Sequence, residues 1–177
     1  MSAADPRPSR LDDPIQAERD IIARLENEDI DLDYEALSIV SNIYRAASAI
    51  RRHMEQEVLT PEKLSWTAFV TLWVLWIWGE MEARHLAGEA NVTKGTLTGV
   101  LDTLERRELV QRRRHEEDRR LVSVAITPAG EELIARIYPA FNAQESQIAD
   151  LMTGRQRRSA TEGLRRVVRG LAGPDPS

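Results

Sequence analysis

The stretch that most constrains the fold runs from Met81 to Arg107, where two short helical patterns are separated by only a few residues. The first, Met81 to Ala90, turns Leu86 and Ala87 to one side and ends at Asn91, a residue type that tolerates the left-handed conformation at a helix C-terminus. Val92 follows, and Thr93 offers an N-cap hydroxyl to the second pattern, Lys94 to Arg107. This is the spacing of a helix-turn-helix. The second helix turns Leu97, Leu101 and Leu104 inward and leaves Lys94, Gly95, Thr98, Gly99, Asp102 and Thr103 outside. Two glycines inside a helix cost about 1 kcal/mol each relative to alanine and bring nothing to a passive surface. A face of short hydroxyls and glycines instead suits a helix that must enter a DNA major groove, because bulky side chains would hold its backbone away from the bases.

Two extended stretches follow, Leu109 to Arg114 and Leu121 to Ile126, the second with β-branched alternation. Between them sits the charged run His115-Glu116-Glu117-Asp118-Arg119, so the pair reads as a β-hairpin with a charged tip. The net charge is −5, yet seven arginines stand against four acids from Arg106 to Arg120, while Asp12 to Glu35 is mainly acidic. Distribution decides here: a charge run alone is usually a solvated face, but a basic hairpin after a helix-turn-helix is a wing, able to reach the minor groove beside the occupied major groove. Asp118 and Arg120 are two apart on an extended strand and share a face. Arg120 is therefore expected to enter the minor groove with Asp118 orienting it, against the plainer reading of a surface ion pair worth ~0–1 kcal/mol. The expected DNA contacts are Thr93, Lys94, Gly95, Thr96, Thr98, Gly99 and Thr103 on the helix and Arg112, Arg114, Asp118, Arg119 and Arg120 on the hairpin.

The flanks are helical. Ile15 to Glu28 is a short amphipathic helix, and from Tyr34 the positions Leu37, Val40, Ile43, Tyr44, Ala47, Ile50, Met54 and Val58 write one apolar stripe on a long helix. Thr60-Pro61 stops it, and Ser65 caps the next helix, Trp66 to Trp78, which is apolar all round and should be buried on several sides. Thr127-Pro128 starts a helix carrying Leu133, Ile134, Ile137, Phe141 and Ile148, with a kink expected at Pro139; a last helix near Gln156 to Leu171 carries Leu164, Val167, Val168 and Leu171. These flanks hold more apolar face than a helix-turn-helix can cover, which predicts burial between two subunits of a homodimer. The expected class is mainly α with a small β-hairpin wing, in one folding unit. Its layout is a tail (1–14), N-terminal and dimer helices (15–60), winged helix-turn-helix (61–127), C-terminal dimer helices (128–172) and a second tail (173–177), the tails read as disordered from their Pro, Asp and Ser content.

Enzyme chemistry finds no footing. The three histidines, His53, His85 and His115, are scattered; there is no cysteine, no metal-ligand spacing and no phosphate loop, so no cofactor and no thiol sensing are expected. No secretory signal opens the chain, and the longest mostly apolar run, Trp66 to Trp78, is too short to span a bilayer. A cytoplasmic protein without a membrane partner is expected. The competing reading is a winged helix used for protein contact, whose basic hairpin meets an acidic partner.

In order of motifs, Leu64 to Gly130 resembles the multiple-antibiotic-resistance regulator (MarR) family. Leu64-Ser65-x-x-x-Phe69-x-x-Leu72, Leu86-Ala87, Val92-Thr93 and Val100-x-x-Leu104-Glu105 look like the family's helices, and Leu109-Val110, Asp118-x-Arg120 and Thr127-Pro128-Ala129-Gly130 like its wing and wing exit. Glu108 departs from the glycine usual there and predicts a turn into the wing that is more strained or differently shaped. The resemblance implies an obligate dimer on a pseudo-palindromic operator in double-stranded DNA. It also implies a repressor released by a small ligand, often aromatic and anionic, bound between dimer helices and reading head. For that ligand the face of Trp66, Phe69, Trp73 and Trp76 is the candidate wall, with Arg51, Arg52, Arg84 or His85 as anion partners; the plainer reading of such a stripe is core. The N-terminal helix resembles the urate-responsive branch, but the tryptophan of that branch is absent from Ile15 to Glu28, which argues against urate.

Overall fold

The computed structural model describes residues 14–28, 31–114 and 121–172, so both expected tails fall outside it except Pro14. Pro14 instead opens α1 (Pro14–Glu26), where a fixed φ and a missing N–H cost nothing. The chain divides into two compact units, residues 1–52 and 53–177, where its length suggested one.

The first unit holds α1 and most of α2 (Tyr34–Met54). Asp33 caps α2, its Oδ1 accepting from the Ala36 N–H at 2.9 Å. Glu18 on α1 ties the two helices together: its Oε2 accepts from Asn42 Nδ2 at 2.8 Å and from Arg45 Nη1 at 3.1 Å. The hydrogen bond from Asn42, with those from Ser38 and Arg45 and the Arg45 charge, holds the Glu18 carboxyl below the usual carboxylate range. On α2 the apolar residues Ile39, Val40, Tyr44 and Ile50 stay exposed in the protomer.

In the second unit, a π-helical turn (Glu55–Leu59) continues from α2, closed by Thr60 N–H donating to Glu55 O at 2.8 Å. The sequence pattern carries an ordinary helix through Val58; the wider turn re-phases the chain so that Met54, Val58 and Leu59 are all buried. α3 (Trp66–Trp78) starts as expected at Ser65, whose side chain accepts from the Ala68 N–H, and it buries Phe69, Leu72, Val74 and Leu75. Its C-terminal end departs from the all-round burial its composition suggests: Ile77 and Trp78 are exposed.

Met81–Glu82 is not helical but a two-residue strand, β1, and α4 is only Ala83–Glu89. β1 pairs with β3 (Val122–Ile126), which also pairs with β2 (Val110–Arg114), giving an antiparallel three-stranded sheet in the order β1-β3-β2. The register sets Met81 and Arg112 both opposite Val124, and Arg114 opposite Val122. α5 (Lys94–Arg106) precedes the sheet's hairpin. α6 (Pro128–Asp150), capped by Thr127, runs without interruption through Pro139, and α7 (Gly154–Leu171) opens on a capping box of Thr153 and Gln156. α7 buries no residue and exposes Leu164, Val167, Val168 and Leu171. The second unit's core joins Leu72, Leu75, Leu86, Leu97, Leu104, Val124 and Ile134. Among the described residues no helix is long and apolar enough to cross a membrane.

Candidate nucleic-acid interface

The turn between α4 and α5 is built from local bonds. Asn91 takes φ 51°, in the left-handed region, and closes α4 by donating from its N–H to Gly88 O at 3.0 Å while Val92 N–H donates to Ala87 O at 2.9 Å. Two residues on, Thr93 Oγ1 accepts from the Thr96 N–H at 3.1 Å and starts α5. Leu97, Leu101 and Leu104 are buried against the core. Lys94, Gly95, Thr96, Thr98, Gly99 and Thr103 are exposed together on the opposite side.

The glycines of that face have no internal packing reason. A methyl group added at Gly99 would meet nothing within 4 Å, and at Gly95 only Thr93 Oγ1 at 3.9 Å. Thr98 Oγ1 donates to Lys94 O at 2.9 Å and Thr103 Oγ1 to Gly99 O at 3.1 Å, so both hydroxyls are held along the helix; Thr103 Oγ1 also accepts from Arg106 Nη2 at 3.1 Å. The amino end of α5, flanked by Lys94, carries the positive end of the helix dipole, which favours phosphate.

Arg112, expected to touch DNA, turns its charge toward two carboxylates of α5. Its Nη2 donates to Asp102 Oδ1 at 2.6 Å and to Glu105 Oε2 at 2.5 Å, its Nε to Glu105 Oε2 at 3.0 Å, and its backbone N–H to Glu105 Oε1 at 3.2 Å. These bonds lash the carboxyl half of α5 to β2. Hydrogen bonds from the Arg112 side chain, opposed by partial burial, keep the Glu105 carboxyl below its usual range, and the Arg112 guanidinium is shifted up by the same contacts, Glu105 first. Arg113, by contrast, is exposed, with a loose approach to Glu80 at 3.8 Å, and Arg106 stands exposed beside Thr103. Neither is in the expected set, although both belong to its basic run. Asp118, Arg119 and Arg120 lie outside the described residues, as does the side chain of Arg114.

The base of the hairpin is fastened at three points. Glu108 adopts φ 58° and ends α5 as Asn91 ends α4, with Glu108 N–H on Glu105 O at 2.9 Å and Leu109 N–H on Leu104 O at 3.0 Å. The strain read from the missing glycine is thus present at this residue. Arg107 donates to the carbonyls of Lys63 and Glu62 at 2.9 and 3.1 Å. Thr127 donates from its N–H to Leu109 O at 3.1 Å and from Oγ1 to Glu108 O at 2.6 Å. Gly130 packs so closely on this joint that a Cβ would overlap the Leu109 carbonyl oxygen and lie 2.7 Å from Ile126 Cγ1.

A cavity of about 210 Å³ opens between α3 and α6, lined by Trp66, Phe69, Val70, Trp73, Tyr138, Phe141 and Glu145. Phe69 and Phe141 stack with ring centroids 4.3 Å apart, and Trp66 tilts against Phe141 at 6.1 Å. Of the residues expected on a ligand wall, Trp66, Phe69 and Trp73 line it. Trp76 is not on its wall and packs on the ring of Tyr138, centroids 5.7 Å apart. His85 is exposed on α4, Arg84 pairs with Glu82, and Arg51 belongs to α2 in the first unit. Tyr138 and Glu145 escaped the sequence reading, and Phe141 entered it only as an apolar position of this helix, although their spacing of three and four puts all three on one face of α6. Among the described residues no cluster of three or more His, Asp or Glu could hold a metal ion.

A family model described as the MarR family matches residues 64–122. The uncharacterized HTH-type transcriptional regulator YwaE of Bacillus subtilis (strain 168) is 37% identical, the match covering 87% of this chain and 91% of that protein. Two solved structures share the fold. Sco3205, a MarR family transcriptional regulator from Streptomyces coelicolor in complex with DNA, superposes with a TM-score of 0.73 at 23% identity, over 85% of this chain and 96% of that one. Bordetella bronchiseptica BpsR, whose DNA binding is regulated by 6-hydroxynicotinic acid, gives 0.69 at 22% identity, over 74% of this chain and 98% of that one.

Proposed function

The chain belongs to the MarR family of DNA-binding transcriptional regulators, which are not enzymes, and from that premise we propose that it works in the cytoplasm as a homodimeric repressor which reads a pseudo-palindromic operator and releases it when a small aromatic ligand binds. The carrying observation is the outer face of α5: exposed short residues and two glycines without an internal packing role, directly above three buried leucines. The proposed reading set is Thr93, Lys94, Gly95, Thr96, Thr98, Gly99 and Thr103 in the major groove. Arg114, Arg119 and Arg120 supply the wing, with Asp118, two residues before Arg120 in the sequence, orienting it.

The dimer is supported by apolar surface that each unit leaves uncovered: Ile39, Val40, Tyr44 and Ile50 on α2, and Leu164, Val167, Val168 and Leu171 on α7. Two reading heads related by a two-fold axis would address half-sites about one helical turn apart, roughly 34–36 Å. The α3–α6 cavity is the proposed effector site, with Trp66, Phe69 and Trp73 on its wall. Release then requires a ligand that prefers the conformation with low DNA affinity, and the coupling acts equally in both directions.

The test uses an operator selected from a random-sequence pool. Thr98→Leu and Gly99→Leu should each abolish the footprint while helix content stays unchanged, because a branched side chain on this face holds the backbone out of the groove. Unaltered footprints in both variants would move the reading face elsewhere. Failure to enrich any sequence, with binding independent of salt, would favour a protein-contact role.

A further inference from the structure

Among the described residues, the cavity between α3 and α6 carries a single charged group on its wall, and that group is a carboxylate, Glu145. None of the described residues lining it is a lysine, arginine or histidine, and its apolar lining is dominated by five aromatic rings. Such a wall is not electrically neutral. The face of each ring is the negative end of a quadrupole, so a cation over it is attracted and an anion repelled. Tyr138 and Phe141 lie nearly parallel, 8° between planes and 6.4 Å between centroids, and Phe69 stacks on Phe141, so these rings pack as one aromatic cluster along the wall. Glu145 stands on the same α6 face one turn beyond Phe141 and is exposed. Its Oε2 accepts from Asn142 Nδ2 at 2.8 Å, a neutral donor that orients the carboxylate and leaves its charge in place.

An aromatic acid placed here would face repulsion from Glu145, with no cation among the described lining residues to offset it. We infer that the cavity takes a small aromatic organic cation, a quaternary or protonated amine attached to about one ring. The inference rests on the reading of this cavity as the effector site and departs from the aromatic anion that the family resemblance led us to expect. Size agrees. A dry apolar cavity of about 150 Å³ already admits benzene, and the space here is about 210 Å³, enough for a ring and an ammonium head.

The experiment varies charge at constant shape. The full-length protein is titrated with phenyltrimethylammonium, with its uncharged carbon isostere tert-butylbenzene, and with benzoate, while tryptophan emission and binding heat are followed. The cation should bind about tenfold tighter than the isostere, and benzoate weaker than both. Glu145→Gln removes one exposed charge without changing shape; it should keep the parent melting temperature and bring the cation to within roughly threefold of the isostere. Benzoate binding as tightly as the cation would overturn the inference while leaving the effector site standing. A Glu145→Gln variant with the full cation preference would overturn the part assigned to the carboxylate. If none of the three compounds gives heat or alters emission, the effector reading of the cavity fails as well.

Discussion

Replacing Arg112 by methionine keeps the aliphatic stem and removes three side-chain hydrogen bonds to two carboxylates, Glu105 and Asp102. A charge-assisted hydrogen bond shielded from water contributes about 1.5–3 kcal/mol, an exposed ion pair only ~0.2–1 kcal/mol. The Glu105 and Asp102 side chains are 39% and 47% exposed, so water recovers much of what they lose. The expected loss is therefore about 1–2 kcal/mol of stability for the whole cluster, which lowers the melting temperature by about 2–8 °C in a chain of this size. Melting is followed at fixed protein concentration, since a dimer's stability depends on it. The same variant separates two roles in DNA binding. A side chain that neutralises a phosphate would reduce the slope of log K against log salt by about 0.9 when removed. Arg112, spent on α5, should weaken specific binding and leave that slope unchanged. Glu105→Gln combined with Arg112→Met should show a coupling of about 1 kcal/mol in a double-mutant cycle. A slope that falls by about one, or a melting temperature equal to the parent's, would refute the positioning role and return Arg112 to the DNA surface.

Gly130→Ala forces a methyl group onto the Leu109 carbonyl and Ile126 at the joint of wing and α6; a cost of about 2–3 kcal/mol should appear in urea unfolding, and an unchanged midpoint would show that the joint yields freely. Glu108→Gly relieves a left-handed backbone worth about 1–2 kcal/mol, offset by about 0.4–1 kcal/mol of added unfolded-state entropy, for a net gain of about 0.5–1 kcal/mol in the same assay. The carboxyls of Glu105, bonded by Arg112, and Glu62, held by the two-point Arg136 pair, both lie below the ordinary 4.5 when folded. Because the folded values are the lower ones, their stabilisation is present above 4.5 and is lost as pH falls through the folded values. Urea midpoints should thus fall in acid below that point, and Glu105→Gln should shrink the fall.

What could be read without coordinates was local. Thr93, Thr127 and Ser65 cap helices by bonding a backbone N–H three residues ahead, and the left-handed turn at Asn91 closes onto Gly88 and Ala87. Such features fix element starts, the helix-turn-helix and the buried leucines of α5 within a few residues of chain, so spacing alone reports them. The leftover apolar stripes on α2 and α7 and the strain at Glu108 were legible for the same reason.

Tertiary structure decided what depends on partners distant in sequence. β1 is two residues long, too short to show a period, and is a strand only because Val124 and Ser123 lie opposite Met81 and Glu82. The π-helical turn at Glu55 to Leu59 answers a packing demand that no residue in it announces. Arg112 looked like one more basic residue of the wing until Asp102 and Glu105 met it across the gap between α5 and β2. The cavity's chemistry was hidden most completely: Trp66 and Glu145 are far apart in the chain, and only the packing of α3 on α6 sets a carboxylate beside the rings. A side chain's charge belongs to the sequence; which surface it faces is fixed by whatever lies across from it in the folded chain.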